Sequence, residues 1–142
     1  IVPGTPTLVL DVAHNPHSVA ALAENLDAMG FYPGTHAVFG AMADKDLAAM
    51  LERIAPLIDH WHLTDLPLPR AIKADALDAL LQGHPGCRGK VAGRHASPMD
   101  ALRAAVSAAD PADRIVVFGS FYTVGGVLQD GVPRMSAKHL SA

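Results

Sequence analysis

Three observations predict an α/β fold: a doubly wound, mainly parallel sheet with helices on both faces. Short β-branched apolar runs alternate about five times with longer stretches whose apolar residues recur every three or four positions. The clearest runs, Thr7-Leu8-Val9-Leu10 and Arg114-Ile115-Val116-Val117-Phe118, are near-continuously apolar, as strands covered on both faces must be. The chain has 142 residues, 50% of them hydrophobic and 18% charged, which suits one domain with one good core. The connections are short, so each strand leads through one crossover helix to the next, in the Rossmann-like manner.

Each element has a local reason. Thr7 to Leu10 is the first strand. Val19, Leu22, Ala23, Leu26 and Met29 share one face of a helix expected over residues 18–29, with Ser18 as cap and Gly30 at its stop. His36-Ala37-Val38-Phe39 is the second strand, closed by Gly40. Asp46 caps a helix expected to run to about Ile58, with Leu47, Met50, Leu51, Ile54 and Leu57 inward. A third strand is expected over 60–64. The proline-rich loop from Leu66 to Arg70 cannot be helical. A short helix (74–81) and a short, weakly hydrophobic strand (90–93) follow. Ser97 is a good cap and Pro98 a good first position for a helix running to Ala109. After the strand at 114–118, Gly119-Ser120 turns the chain into a last helix over about 121–128. Residues 1–6 read as a remnant of a linker and first strand, 7–130 as the domain, and 131–142 as a frayed tail without periodicity.

Composition excludes several function classes. Eleven Lys+Arg against 14 Asp+Glu give a net charge of −3 and a pI near 6.2, which argues against a nucleic-acid partner. No apolar run approaches the roughly 18–20 residues of a membrane span, so no membrane partner is expected. The single Cys87 allows no internal disulfide and no thiolate metal cage, and a cytoplasmic location is the expectation. The opening Ile1-Val2-Pro3-Gly4, without Met, is read as part of a longer protein.

Ligands of such sheets bind beyond the carboxyl ends of the strands, where two loops stand out. Asp11-Val12-Ala13-His14-Asn15-Pro16-His17-Ser18 is unusually polar for a strand exit, although Asp, Asn and Ser are also ordinary turn residues. Gly119-Ser120-Phe121-Tyr122-Thr123 offers three hydroxyls and helix-start amides to an anion; its bland reading is a capped turn. Lys45, between Asp44 and Asp46, could reach a phosphate or simply be solvated. Arg70 sits on a rigid loop that could present a guanidinium to a carboxylate. His60 and His62 face one side of a strand but lack a third metal ligand, so with Trp61 they read as packing and surface. His84 and Cys87 are too sparse for zinc, and no metal site is expected. Neither a G-x-x-x-x-G-K-[ST] phosphate loop nor a G-x-G-x-x-G fingerprint is present.

The strand ending in Asp11-Val12-Ala13-His14-Asn15-Pro16, the turn Gly40…Asp44-Lys45-Asp46 and the closing Val116-Val117-Phe118-Gly119-Ser120-Phe121-Tyr122-Thr123-Val124 occur together. This combination resembles the C-terminal domain of the folylpolyglutamate synthases, closest to the bacterial bifunctional dihydrofolate synthase/folylpolyglutamate synthases of the Mur ligase superfamily. Pro69-Arg70-Ala71 resembles that family's Pro-Arg-Gly/Ala segment. The likeness spans about Thr7 to Leu128. Two departures are Val12, where many relatives have Gly, and Tyr122, where some have His.

The resemblance implies an ATP-dependent ligase that adds L-glutamate to dihydropteroate and to folates through an acyl phosphate. It implies ATP and Mg2+ bound mainly by an N-terminal ATPase domain, and no turnover by these residues alone. It further implies nucleotide contacts from Asp11, His14 and Asn15, glutamate or folate contacts from Arg70, Ser120 and Tyr122, and catalytic roles for His14, Ser120 and Tyr122. Two other readings stay open: the C-terminal domain of a Mur-type peptidoglycan amino-acid ligase, and a non-catalytic Rossmann-like binding module.

Overall fold

The computed structural model describes residues 1, 2, 4–136 and 139–141. Its elements are β1 (Gly4–Thr5), β2 (Thr7–Leu10), α1 (Pro16–Ala28), β3 (Thr35–Phe39), α2 (Leu47–Ile54), β4 (His60–Thr64), α3 (Ala74–Gln82), β5 (Val91–His95), α4 (Pro98–Ala108), β6 (Arg114–Phe118), α5 (Phe121–Val127), β7 (Arg134–Ser136) and β8 (His139–Ser141). Five strands form a wholly parallel sheet in the order β2-β6-β3-β4-β5. The doubly wound class read from the sequence is what the chain adopts.

Alternation along the strands divides the core into two layers. Val116 and Phe118 of β6, Ala37 and Phe39 of β3, and Trp61 and Leu63 of β4 face α1, α2 and α3. Ile115, Val117 and Val38 face the opposite way, into a second cluster with Leu102 and Val106 of α4 and Val124 and Val127 of α5. Burial on both faces is why β6 is apolar at every position after Arg114, whereas β4 carries His60 and His62 at its alternate positions. At the centre of the first layer, the Phe39 ring lies 4.9 Å from that of Phe118 and 5.6 Å, edge-on, from that of Trp61.

Several local expectations are corrected. Asn15, not Ser18, caps α1, which begins at Pro16. Asn15 Oδ1 accepts the Ser18 amide at 2.8 Å, while Ser18 Oγ accepts the amides of Asn15 and His14 at 3.2 and 3.1 Å. Pro16 thus opens the helix, because its missing N–H would be unpaired there anyway. Asn15→Ala should lower stability by about 1 kcal/mol in a urea titration, the usual loss for an N-cap. The second helix stops at Ile54 and tightens into a 3-10 turn, Ala55–Leu57, around Pro56. Strand β5 extends to His95, and its alternate exposure at the sheet edge accounts for its weak hydrophobicity.

The segment expected as a frayed tail contains β7 and β8, and the expected linker contains β1. These make a separate three-stranded sheet, order β1-β7-β8, with β1 parallel to β7. Met135 and Val2 join the α4–α5 cluster. Pairing between segments at opposite ends of the sequence leaves no periodic trace in either one.

Candidate functional site

Strand order builds the site. The β3 exit turns toward α2 on one face, whereas the adjacent β6 exit turns toward α5 on the other, leaving a crevice at their carboxyl ends. Hydrogen bonds lace the surrounding loops together. The Gly119 amide donates to the Ala13 carbonyl at 2.9 Å, joining the exits of β6 and β2. The Ala43 amide donates to the Arg70 carbonyl at 2.8 Å, and the Ile72 amide to the Ala41 carbonyl at 3.0 Å, joining the exits of β3 and β4. Thr123 Oγ1 donates to the Gly40 carbonyl at 2.8 Å and ties α5 to the β3 exit.

A cavity of about 560 Å³ opens there, lined by His14, Lys45, Arg70, Ser120 and Tyr122 together with Met42, Asp44, Leu68, Pro69 and Phe121. The structure thus brings four of the six sequence-selected residues to one place from three loops. Asp11 and Asn15 do not line it. Asp11 Oδ1 accepts the Ala13 amide at 2.8 Å and orders the turn, and Asn15 caps α1.

The cavity side chains differ in how free they are. His14 Nδ1 lies 3.0 Å from the Val12 carbonyl, which can only accept, so Nδ1 carries the hydrogen and a neutral ring leaves Nε2 as an acceptor. Ser120 is 3% exposed, and its Oγ accepts the Thr123 amide at 3.1 Å as the cap of α5. Thr123 Oγ1 gives its hydrogen to Gly40, so the 3.0 Å contact between the two hydroxyls has Ser120 as donor. The Ser120 hydroxyl is therefore engaged within the protein. Tyr122, at 50% exposed, and Phe121, at 65%, stand open beside it.

Lys45 and Arg70 are the electrostatic feature. Neither has a carboxylate partner among the described residues, although Arg94 and Arg103 elsewhere do. Two unpaired cations on one cavity wall suit an anionic ligand, and the planar guanidinium suits a carboxylate or phosphate in particular. The pairing of Lys45 with Arg70 depends on the contact between two loops some 25 residues apart, and Lys45 by itself was indistinguishable from a solvated lysine. Among the described residues, no three His, Cys, Asp or Glu side chains gather as a metal site. No helix among them is long and apolar enough to cross a membrane.

Comparison with known proteins identifies the family of the fold. Residues 1–121 match the family of the Mur ligase glutamate ligase domain. The chain is 37% identical over 122 residues to the dihydrofolate synthase/folylpolyglutamate synthase of Haemophilus influenzae, covering 84% of this chain and 27% of that protein. Among solved structures it is similar to E. coli FolC in complex with DHPP and ADP, with a TM-score of 0.81 at 32% identity, covering 92% of this chain and 30% of that one. A bifunctional folylpolyglutamate synthase/dihydrofolate synthase with Mn, AMPPNP and L-glutamate bound gives a TM-score of 0.79 at 34% identity, with the same coverage. The chain spans less than a third of each of these proteins. With its parallel sheet, its crevice at the β6/β3 exits and a family match over 121 of its 142 residues, the chain belongs to the glutamate ligase domain family of the Mur ligases.

Proposed function

We propose that this chain is the C-terminal domain of an ATP-dependent ligase that adds L-glutamate to dihydropteroate and to folates, and that its cavity forms the amino-acid side of an interdomain cleft. The observation that carries this reading is the convergence of His14, Lys45, Arg70 and Tyr122 on one open cavity, with neither cation paired to a carboxylate among the described residues. L-glutamate brings two carboxylates and an amine, and that donor set complements it. Arg70 holds a carboxylate, Lys45 offsets the second anion in the cleft, and Tyr122 supplies a hydroxyl at the exposed rim. His14 presents Nε2 as an acceptor near the amine, which must lose a proton before it can attack. Asp11, Asn15 and the Ser120–Thr123 pair keep the loops in register, so their contribution is positional.

ATP, when bound, supplies the phosphoryl group that activates the carboxylate acceptor, and the unpaired Lys45 and Arg70 fit phosphate as well as they fit carboxylate. The resemblance to the folate ligases assigns nucleotide and Mg2+ mainly to an N-terminal ATPase domain. A cytoplasmic setting accords with this role. The folate branch is favoured over the peptidoglycan one by the names and ligands of the relatives matched at 32–37% identity.

In the intact enzyme, Arg70→Ala should raise the KM for glutamate and His14→Ala should lower kcat, each cutting kcat/KM by about a hundredfold or more. Unchanged glutamate addition in both variants would remove the site assignment. A panel of dihydropteroate against muramyl substrates tests the branch. Calorimetry on the 142 residues alone should show weak or no nucleotide binding, whereas tight binding would point to a free-standing module.

A further inference from the structure

Under α4, on the sheet face opposite α1–α3, lies a stripe of four histidines that the proposed reaction does not use. His36 of β3, His60 and His62 of β4 and His95 of β5 share this face, since His36 registers with His60, and His95 with Thr64. His36 stacks on His60 at 4.6 Å between centroids and lies 5.6 Å from His62, which in turn lies 6.2 Å from His95. His36 and His62 are each 2% exposed.

The hydrogens in this stripe can be placed by elimination. His36 Nε2 is 3.3 Å from Asp113 Oδ2, and a carboxylate only accepts, so His36 donates from Nε2. Neutral His36 then has a bare Nδ1, which accepts from His62 Nε2 at 3.3 Å. His62 Nδ1 is left as a bare lone pair, fully buried and without a partner, and His95 Nε2 is likewise buried and unpartnered. The two rings are neighbours, 6.2 Å apart between centroids. A Cβ on Gly93 would come within 2.9 Å of His95 Nε2, and Gly93 is the residue that registers with His62. Uncharged imidazoles satisfy both of these hydrogen bonds, whereas a further proton on His62 Nδ1 would be buried without an acceptor.

The carboxylates near the stripe act on His36 and His95, and none among the described residues acts on His62. Asp113 holds the far end of the stripe and also accepts the Asp110 amide at 2.9 Å. Asp59 faces His36, and Asp100 of α4 faces His95 while pairing with Arg103 at 3.5 Å. Arg94 of β5 is bound to Asp75 and Asp78. The inner face of α4 is apolar, with Ala101, Leu102 and Ala105 fully buried. His62 is influenced only by other histidines; burial and then His36, His95 and His60 push it down to about 3, and burial also lowers His36 and His95.

We propose that the inner part of the stripe, His36, His62 and His95, is an acid-sensitive catch: α4 stays seated on the sheet only while these three are neutral, and proton uptake loosens α4 and, through it, α5 and the wall of the carboxyl-edge cavity. The mechanical link is close packing. A Cβ at Gly126 of α5 would come within 2.5 Å of Pro98 Cγ at the start of α4, and both helices share one apolar cluster. Helix α5 carries Phe121 and Tyr122 into the cavity. The unfolded chain takes up protons at histidine near pH 6.5, while folded His36, His62 and His95 resist them. The stabilisation is therefore complete above about pH 6.5 and declines as the pH falls. For His62 the decline continues to about pH 3, at about tenfold in the folding constant per pH unit. The inference does not depend on the ligase reading.

The test is imidazole and amide NMR with hydrogen exchange on the full chain between pH 7.5 and 4.5. His62 should remain neutral with hydrogen on Nε2, and His36 should titrate below 6.5. Amides of α4 should lose protection, corrected for intrinsic rates, before those of α1 and α2, and the Phe121 and Tyr122 signals should shift with them. A His62→Gln chain should lose about tenfold per pH unit of the parent's stability slope below pH 6.5. Titration of His62 near 6.5 in an intact fold, protection of α4 that keeps pace with α1, or a Gln variant with the parent's full slope would each overturn the proposal. If the variant does not fold, the parent's imidazole signals decide alone.

Discussion

Gly119→Ala should lower stability by about 3–5 kcal/mol and disorder the cavity wall, since two independent costs fall on one methyl group. Gly119 has φ +116, a left-handed region that side chains rarely enter. A Cβ there would also lie 2.2 Å from the Gly40 carbonyl oxygen and 2.9 Å from the Phe39 ring. Neither neighbour can give way, because the same Gly40 carbonyl accepts from Thr123 Oγ1 and Phe39 is fully buried. Typical domains hold only about 5–15 kcal/mol in total, so much of the margin would go. Urea midpoints at constant slope measure this. Gly125→Ala is the matched control: nothing lies within 4 Å of its Cβ, and in a helix it should be neutral or slightly stabilising. A Gly119→Ala loss below about 1 kcal/mol would show that the β6/β3 junction is looser than described.

Phe118→Ala should cost about 3–5 kcal/mol by leaving a void between two other aromatic rings. Phe118 is fully buried, 4.9 Å from Phe39 and 6.1 Å from Trp61 between ring centroids, so three adjacent strands meet at it. Phe118→Leu keeps most of the volume and should cost much less. Val91→Ala, at the half-buried sheet edge, sets the comparison. If Phe118→Ala were no more costly than Val91→Ala, the aromatic cluster would not be the centre of the core. Both central substitutions act beside the cavity, so the amides of Ser120 and Thr123 should report them before global unfolding does.

The readable parts of the fold are those whose physics is local. Strand β6 is legible because burial on both faces keeps it apolar after Arg114, and α4 because Ser97 and Pro98 form a cap and first turn. The start of α1 was misplaced because Asn15 and Ser18 cap each other, and spacing alone does not say which residue leads. The setting of His62 is not legible in the sequence because its partner His36 lies 26 residues away, and His36 in turn meets Asp113 a further 77 residues on. In the cavity, His14, Arg70, Ser120 and Tyr122 were legible as loop residues. That the Ser120 hydroxyl is engaged with Thr123, and that Lys45 stands unpaired beside Arg70, were not.

By itself the amino-acid order determined the α/β class, the strand and helix periods, the loops able to carry chemistry and the family resemblance, since each is written in residues near one another along the chain. Only the tertiary structure decided that β6 inserts between β2 and β3, that four loops converge on one crevice with two free cations, and that the two ends of the chain pair. These follow from packing between segments far apart in sequence, where the energy of a contact belongs to the pair and neither partner alone reveals it.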